Sequence, residues 1–487
     1  MSRRVSVVVC LLFGLLLSFA PAGRGQEVLF RPKLKASDIE AGLRTYWYGV
    51  YVQGKKIGYI KSGRARTDEG IVESFLMTQK LVSFGQKTEI TMNQTFVFEA
   101  KEPYRLVRGA FTQVAGPIKQ VMKATRNDKG LLLHVEAGGV KMDKQLPDPD
   151  YTLADSLATE VWVRGGPKTG DRTAAKEFSL LEQKADIAKS KIVSAKTTLA
   201  GGVKTRFYEV ETVDSKDLAI LQRYDDEGQL LSLSLPVYEL RLEPEEQAKN
   251  TEYSQDLFVF GMVKVDRPLG DTTRVKQLVL EVSGKEAAVL EDGPRQSVAQ
   301  GPNGSRLLKL GKAFGKETKA TPKEIEEALS ETINYPISNA RIKALAAKAA
   351  GDAKTPQDKL KNVINFVHEY IQPHLSANLP NIHDLLDRKK GDCKSYALMF
   401  NNLARAAGIP AREVAGLLYI GDDQKAFGGH AWNEVVLDGV WVPVDASLAQ
   451  TEVDATHISF GSDRGLKNLL TTLGKLSFKV VEIEVAR

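Results

Sequence analysis

The sequence predicts an α+β fold at the C-terminal end of the chain, preceded by antiparallel β-rich domains. Three observations favour this class. Residues 45–112 alternate in polarity and are rich in β-branched and aromatic side chains, which is typical of half-buried strands. From residue 340 onward, apolar residues recur at helical spacing. After residue 411, strand patterns return on both sides of a glycine turn, so the last part of the chain combines helices with a sheet.

Length and composition set the domain organisation. The 487 residues are too many for one ordinary core and predict two to four domains. A chain that is 43% hydrophobic and 26% charged is typical of a soluble globular protein. We expect a β-rich N-terminal domain at 27–245, a small β-rich unit at 257–318 and a core at 332–460. Residues 461–487 would form a C-terminal extension of that core.

The first 22 residues predict a secretory signal peptide. Two arginines at positions 3 and 4 precede an apolar run at 5–19, and the small residues at 20–22 suit a cleavage site. The apolar run is too short for an ordinary membrane span. An uncleaved segment is the alternative, and it would give the protein its only contact with a membrane. Export predicts an extracytoplasmic location.

Charge and cysteine content argue against a nucleic-acid-binding protein and against a protein stabilised by disulfides. The net charge of +6 falls to +4 once the two arginines of the signal peptide are removed. So small a positive charge does not indicate a nucleic-acid-binding protein. Cysteine occurs only at positions 10 and 393, and Cys10 leaves with the signal peptide. The mature chain therefore has one thiol and no intrachain disulfide. Cys393 lies in a polar setting of Gly, Asp, Lys and Ser, which disfavours a merely buried apolar role.

The elements follow in order along the chain. The N-terminal strands are separated by turns at 53–55, 68–70 and 127–130, with a helical patch near 151–160. This region shows no cluster of histidine, cysteine or carboxylate residues, so we expect a scaffold or a substrate-docking module. Helices are predicted from the following segments of the C-terminal region: 340–350, 356–371 with Thr355 as N-cap, 382–386, and Lys394 to Gly408. Strands are predicted at 411–419, 431–437 and 440–444.

Cys393 is the candidate nucleophile. It directly precedes the predicted helix, with Asp392 or Ser395 available as a cap. Unpaired N–H groups and the helix dipole favour a thiolate at this position, so we expect the pKa of Cys393 to lie below the ordinary value of about 8.5. The same N–H groups suit a developing oxyanion.

His430 and Asp445 are the candidate base and orienting acid. They follow Cys393 by 37 residues and then a further 15. Antiparallel pairing around the turn at Asp438 and Gly439 would bring His430 and Asp445 side by side. A thiol, an imidazole and a carboxylate placed in this way form a catalytic triad.

Four blocks around these residues resemble the transglutaminase-like superfamily over roughly 335–460. The blocks are Gly391-Asp392-Cys393, Gly408-Ile409-Pro410-Ala411-Arg412, His430-Ala431-Trp432-Asn433-Glu434-Val435 and Trp441-Val442-Pro443-Val444-Asp445. The resemblance implies a papain-like core and an exported cysteine enzyme, of the bacterial periplasm, that acts on amide bonds through a thioester. Its substrates would be peptides or proteins, including those of the cell envelope. Hydrolysis is favoured over amine transfer; a protein-crosslinking transglutaminase and a non-enzymatic cell-envelope binding module are the alternatives.

Other polar and aromatic residues have weaker claims to a role. No phosphate loop, EF-hand or dinucleotide turn is present, so neither a cofactor nor a metal is predicted. A zinc site from His368, His374 and His383 is disfavoured by their spacing. The remaining candidates are Tyr370 and Gln372 as second oxyanion donors, Trp432 and Trp441 as core or pocket walls, Arg405 and Arg412 as partners of acids such as Glu434, and His457 as a structural or cleft residue.

Overall fold

The protein is described here by a computed structural model. It describes residues 29–486 except 53, 84–85, 116–117, 138–139, 201–202, 214–218, 236–237, 254–261, 333, 375–379, 462–464 and 473. The predicted signal peptide at 1–22, with Cys10, lies outside the described residues. Among the described helices, none is long and apolar enough to cross a membrane. The chain divides into two compact units, with the boundary in sequence between Gln255 and Asp256.

The N-terminal unit is built on a single 14-stranded sheet. Its strands are β1 (Thr45–Val52), β2 (Lys55–Thr67), β3 (Gly70–Ser83), β4 (Gln86–Phe98), β5 (Leu106–Ala115), β6 (Ile118–Asn127), β7 (Gly130–Ala137), β8 (Val140–Leu146), β9 (Arg172–Ser179), β10 (Lys184–Ala200), β11 (Val203–Val213), β12 (Ala219–Asp225), β13 (Leu230–Ser234) and β14 (Tyr238–Glu243). Neighbours in the sheet are consecutive in the chain, except that β1 pairs with β14, antiparallel. The predicted antiparallel β-rich region is confirmed.

Short helices accompany this sheet. They are α1 (Ala36–Gly42), α2 (Leu153–Ser156), α3 (Ala158–Arg164) and α4 (Glu245–Lys249). The helical patch predicted near 151–160 is found as α2 and α3. Val163 of α3 is fully buried against Ile192 and Tyr208 of the sheet. Apolar burial of this kind, rather than helix propensity, stabilises so short a helix.

The described part of the C-terminal unit contains a five-stranded, a four-stranded and a two-stranded sheet. Its strands are β15 (Val263–Lys264), β16 (Val275–Ser283), β17 (Gln296–Gln300), β18 (Arg306–Leu310), β19 (Gln372–Pro373), β20 (Lys390–Gly391), β21 (Ala411–Tyr419), β22 (Ala426–Leu437), β23 (Val440–Val444), β24 (His457–Ser459) and β25 (Ser477–Val485). One sheet has the order β15-β22-β21-β24 with β23 beside β22, a second has the order β17-β18-β16-β25, and β19 pairs with β20. Strands from 257–318 and from 461–487 therefore share the second sheet.

The α-helices described in the same unit follow in chain order. They are α5 (Pro322–Leu329), α6 (Ala340–Ala350), α7 (Pro356–Tyr370), α8 (Ile382–Arg388), α9 (Cys393–Ala406) and α10 (Gly465–Thr472). The predicted cap of α7 is confirmed, because the Thr355 side chain accepts a hydrogen bond from the Asp358 N–H. One apolar core joins α6, α7 and α9 to the sheet; its members include Ile342, Leu360, Val363, Met399, Phe400, Leu403 and Val435. Helix α9 is thus held between other helices and the sheet that carries His430.

Candidate active site

Cys393 is the first residue of α9, and the whole start of that helix is buried. Asp392 caps it, since its side chain accepts a hydrogen bond from the Lys394 N–H at 3.2 Å. The helix is fixed to strand β22 by Asn433, whose amide donates to the Ala397 carbonyl at 3.1 Å and to Asn401 at 2.9 Å. The Cys393 sulfur therefore occupies a fixed position against the sheet.

The thiol is held in its neutral form, contrary to the sequence-based expectation. Cys393 is only 5% exposed, and this burial raises the pKa of its thiol well above the ordinary value. The negative charge of Asp392 acts in the same direction, while Lys394 and the Ala431 N–H, which donates to the sulfur, oppose it. The helix dipole was expected to lower the pKa, but the loss of hydration outweighs it. Cys393 therefore rests as a thiol, and it would need a base to become a thiolate.

His430 lies in the middle of β22, next to the Ala431 N–H that contacts the Cys393 sulfur. Its Nε2 is 2.7 Å from Oδ2 of Asp445, and both side chains are buried. The predicted proximity of His430 and Asp445 is found, but with a different register. The ladder pairs Asn433 with Val444 and ends there, so Asp445 lies diagonally across from His430 rather than directly opposite.

Asp445 accepts hydrogen bonds on both carboxylate oxygens. Oδ1 receives the backbone N–H and the hydroxyl of Ser447, each at 2.7 Å, and Oδ2 receives His430 at 2.7 Å and His457 at 3.2 Å. Burial alone would favour the neutral acid, but the two histidines hold the pKa of Asp445 well below its usual range. Asp445 is therefore an ionised carboxylate, which accepts hydrogen bonds only.

The ionised Asp445 fixes the tautomer of His430. Because Nε2 must carry the proton that it donates, Nδ1 carries a lone pair whenever the ring is neutral. Among the described residues, the buried Nδ1 has no hydrogen-bond partner. The Trp432 ring stacks on the imidazole at a centroid distance of 5.9 Å and an interplanar angle of 23°. The ring is thus held with a proton-accepting atom free.

His457 is the site residue that the sequence analysis left undecided. Its Nε2 lies 3.2 Å from Asp445 and its Nδ1 lies 3.2 Å from Oδ1 of Asp454. Burial disfavours its charge, yet the hydrogen bonds to these carboxylates raise the pKa of His457 to about 9. In the sequence, the pattern Asp454-Ala455-Thr456-His457 was the available indication, because a short polar turn followed by a histidine suits a fixed side chain.

The remaining predicted residues are placed as follows. Trp432 is buried with Val414 and Val453, and the Arg412 guanidinium lies 3.7 Å from the centre of the Trp441 ring. These contacts agree with wall and core roles for the two tryptophans. Arg412 also pairs with Glu434 at 2.7 Å, as expected. Arg405 differs, since it donates to the backbone carbonyls of Ala411, Glu327 and Ser330 rather than to an acid.

The two candidate oxyanion donors, Tyr370 and Gln372, have different surroundings. The Tyr370 hydroxyl donates to the Leu386 carbonyl at 3.2 Å. Gln372 is exposed on β19, which pairs with β20 just before Cys393. The Tyr370 hydroxyl therefore has another partner, and Gln372 is the candidate whose strand pairs with the segment just before Cys393.

One group of side chains has metal-binding geometry in the part of the chain that the structure describes. The ligand atoms of His430, Asp445 and His457 all lie within 4.8 Å of one another. The hydrogen bonds around Asp445 account for this proximity without an ion. His368, His374 and His383 form no such group among the described residues.

Comparisons with known proteins found one family model and several partial similarities. Residues 343–446 match the family model of the transglutaminase-like superfamily. An 82-residue stretch is 34% identical to the kyphoscoliosis peptidase of Mus musculus, which is 16% of this chain and only 12% of that protein's length. A candidate cysteine protease from Cytophaga hutchinsonii is 15% identical with a TM-score of 0.27, over 44% of this chain and 85% of that one. A solved TGase is 18% identical with a TM-score of 0.19, over 31% of this chain and 44% of that one.

Proposed function

Because residues 343–446 form a transglutaminase-like domain that carries Cys393, His430 and Asp445, we propose that the protein is a cysteine-nucleophile enzyme that hydrolyses amide bonds of peptides or proteins through a thioester. The observation that carries the proposal is the state of the His430 ring. Its Nε2–H is held by ionised Asp445, while the buried Nδ1 lacks a partner among the described residues. A base with this fixed tautomer is what a buried neutral thiol requires.

Acylation would begin with proton transfer. The Cys393 thiol gives its proton to Nδ1 of His430, and the sulfur forms a bond to the carbonyl carbon of the substrate. The carbonyl oxygen becomes an oxyanion. In the first turn of α9, the N–H groups of Ser395 and Tyr396 donate to the Asp392 carbonyl and that of Lys394 donates to the Asp392 side chain. The Cys393 N–H is therefore the oxyanion donor that we assign.

The oxyanion then collapses and the carbon–nitrogen bond breaks. The His430 imidazolium gives its proton to the departing amine, which leaves a thioester on Cys393. In the second half, His430 removes a proton from water, and the hydroxide attacks the thioester carbon. The carboxylic acid departs, and the thiol regains its proton.

Hydrolysis is favoured over amine transfer by the surroundings of Asp422. A pocket that binds an amine needs a carboxylate, and Asp422, in the turn after Gly421, offers one. Its Oδ1 accepts the N–H groups of Leu269 and Gly270 and the Tyr419 hydroxyl, at 2.7–3.2 Å, so it is occupied in a turn. An amine at millimolar concentration competes with water, which is present at about 55 M, only if a pocket binds it.

A binding module without catalysis is the second candidate, and the burial of Cys393 favours it. A substrate carbonyl must reach the sulfur of a residue that is only 5% exposed. Either substrate binding opens the site or the thiol has a structural role. The experiment therefore separates the two candidates directly.

The test is the mass of the intact protein after reaction with an activated peptide ester, followed by a primary amine. The proposal expects an acyl adduct on Cys393 in the wild-type protein, none in C393A, and a free acid as the main product. Excess amine-linked product at millimolar amine would indicate a crosslinking enzyme. A broad set of peptide esters that leaves no adduct would favour the binding module.

Export is part of the same proposal. A thiol enzyme of this kind with a cleaved leader would act on peptides or proteins of the cell envelope. The N-terminus of the protein recovered from fractionated cells measures this. It should follow Ala22, in an extracytoplasmic fraction; an intact Met1 in the cytoplasmic fraction would contradict export.

A further inference from the structure

His457 lies outside the segment matched by the family model, yet it contacts the triad carboxylate. It begins strand β24, and its side chain is 1% exposed. One ring nitrogen lies 3.2 Å from Asp445 and the other lies 3.2 Å from Asp454. Both acceptors are carboxylate oxygens, so the ring bridges two acids in the interior of the C-terminal unit.

This geometry determines the protonation of His457. An ionised carboxylate only accepts hydrogen bonds, and a neutral imidazole has only one N–H. Two contacts to two ionised acids therefore require both ring nitrogens to carry protons. Asp454 is ionised, because its contacts with His457, Thr456 and Gln450 hold its pKa well below its usual range although burial opposes this. His457 is consequently an imidazolium.

We propose that His457 is a positioning residue that neutralises Asp445 as a constant cation, so that Asp445 stays ionised in every step of the reaction. The inference rests on the proposed function, because it concerns the base of the same triad. During turnover the charge of His430 alternates between neutral and positive. Whenever His430 is neutral, His457 is the only cation that contacts Asp445 among the described residues.

The loss of this cation would change the tautomer of His430. A buried carboxylate without a positive partner is costly, and it takes up a proton instead. Protonated Asp445 would donate to Nε2 of His430, and the ring proton would then lie on Nδ1. A ring in that form cannot accept the thiol proton from Cys393. His457 thus acts on the nucleophile through two intermediate side chains.

Few titratable groups other than the two carboxylates lie near His457. Among the described residues, the titratable groups placed against His457 are Asp445, Asp454 and the His430 ring, whose centroid is 5.6 Å away. Strand β21 pairs with β24 and places Leu418 opposite His457, with Leu417 and Gly416 opposite the next two residues of β24. None of these three residues of β21 titrates.

The test follows the rate at which iodoacetamide alkylates Cys393 between pH 5 and 9, which needs no known substrate. Two neutral variants form a matched pair: H457Q has an amide near the position of Nε2 and H457N has one near Nδ1. We expect the acidic limb of the profile to move to higher pH by one unit, so that the rate at pH 6 falls about tenfold and recovers by pH 9. H457N, which loses the contact to Asp445, should move it further.

The control is H383Q, which alters another buried histidine of the same unit. Its profile should coincide with that of the wild type. A purely structural role of His457 would lower the rate by the same factor at every pH, and that result would overturn the inference. If H430A is alkylated as fast as the wild type, the proposed function fails. If H430A is slower but the His457 variants match the wild type, only the inference about His457 fails.

A measurement on the wild-type protein does not depend on the folding of any variant. In protein with ¹⁵N-labelled histidine, both ring nitrogens of His457 should have imidazolium chemical shifts at pH 7.5. The ring should lose its proton only near pH 9. A neutral His457 at pH 7.5 would contradict the proposal.

Discussion

Both units of the protein contain ionic side chains that are largely withdrawn from solvent, but the hydrogen-bond partners of these side chains differ. In the N-terminal unit, Arg64 pairs with Glu73 at 2.6 Å and with Glu160 at 2.7 Å, and a third donor reaches Ser156. These side chains remain 16–26% exposed. In the C-terminal unit, the side chains of His430 and Asp445 are at most 4% exposed, and Nδ1 of His430 has no partner among the described residues.

The difference shows which observation marks a site. Burial and ion pairing occur in both units, and in the first they tie strand β2 to β3 and to helix α3. Among the described residues, only the second has in its interior a carboxylate that fixes a histidine tautomer and a lone pair that can accept a proton. The comparable contact of the first unit, between His134 and Asp143, is exposed to solvent. A buried charge is therefore weak evidence of function unless an adjacent group has unused chemistry.

The largest expected effect tests that distinction directly. The variant H430A removes the lone pair and should lower the rate of thioester formation on Cys393 about 10⁴-fold or more, as loss of a triad base does. Intact-protein mass spectrometry against time measures it. The matched change in the other unit, E160Q, should leave the rate unchanged. Equal rates in wild type and H430A would remove the base from the mechanism.

The pH dependence of stability sharpens the comparison. The pKa of His457 is raised to about 9 in the folded protein, from an ordinary value of about 6.5. Its stabilisation is therefore fully present below pH 6.5 and is lost as the pH rises through 9, by about 3 kcal/mol. Urea unfolding of the C-terminal unit at pH 6 and pH 9.5 measures the difference. H457Q should lack this loss, and a wild-type stability that is constant over the range would contradict the charge assigned to His457.

Arg64 should affect stability without affecting chemistry. The variant R64M leaves Glu73 and Glu160 without their shared cation, and partial exposure limits the expected loss to about 2 kcal/mol in the free energy of unfolding. Urea unfolding measures the loss, and iodoacetamide alkylation of Cys393 measures the chemistry. If R64M slowed alkylation as strongly as H430A, the division of roles between the two units would be wrong.

The smallest effect concerns the packing beneath His430. A Cβ atom on Gly416 would lie 2.1 Å from the Ile458 carbonyl and 2.4 Å from the Trp432 ring, so G416A must displace the ring that stacks on His430. We expect a loss of about 1–2 kcal/mol in stability and slower alkylation of Cys393. G293A, whose new Cβ meets nothing closer than 3.5 Å, is the control. Unchanged stability in G416A would show that the tryptophan moves freely.

Local patterns in the sequence predicted much of the site. The helix after Cys393 and the hairpin at Asp438 and Gly439 follow from helical spacing and from a turn in which both residues have positive φ, 50° and 80°. The predicted register of the hairpin was wrong by a diagonal step, because the two-residue turn pairs Leu437 with Val440 and therefore Asn433 with Val444. Side-chain length still brought His430 to Asp445.

Two features of the site depend on tertiary structure and could not be predicted from the sequence. The turn between Asp445 and His457 brings the two side chains together, and within it the Gln450 amide donates a hydrogen bond to Asp454. No periodic pattern in the sequence predicts this turn. The raised pKa of Cys393 results from the packing of α9 against other elements, whereas the sequence showed only polar neighbours. Likewise, alternation predicted N-terminal strands but not their union in one 14-stranded sheet.

The pairing of strands β16 and β25 has a consequence for folding kinetics. These strands are separated by about 200 residues of chain, so closing their sheet requires one of the longest loops in the unit, and such contacts form slowly. Phe478 of β25 lies edge-on to Phe427 of β22, with ring centroids 5.3 Å apart, which links this late strand to the strand of His430. Cys393 should therefore stay open to a pulse of alkylating reagent until the slowest refolding phase, and protection in the earliest phase would argue against this order of events.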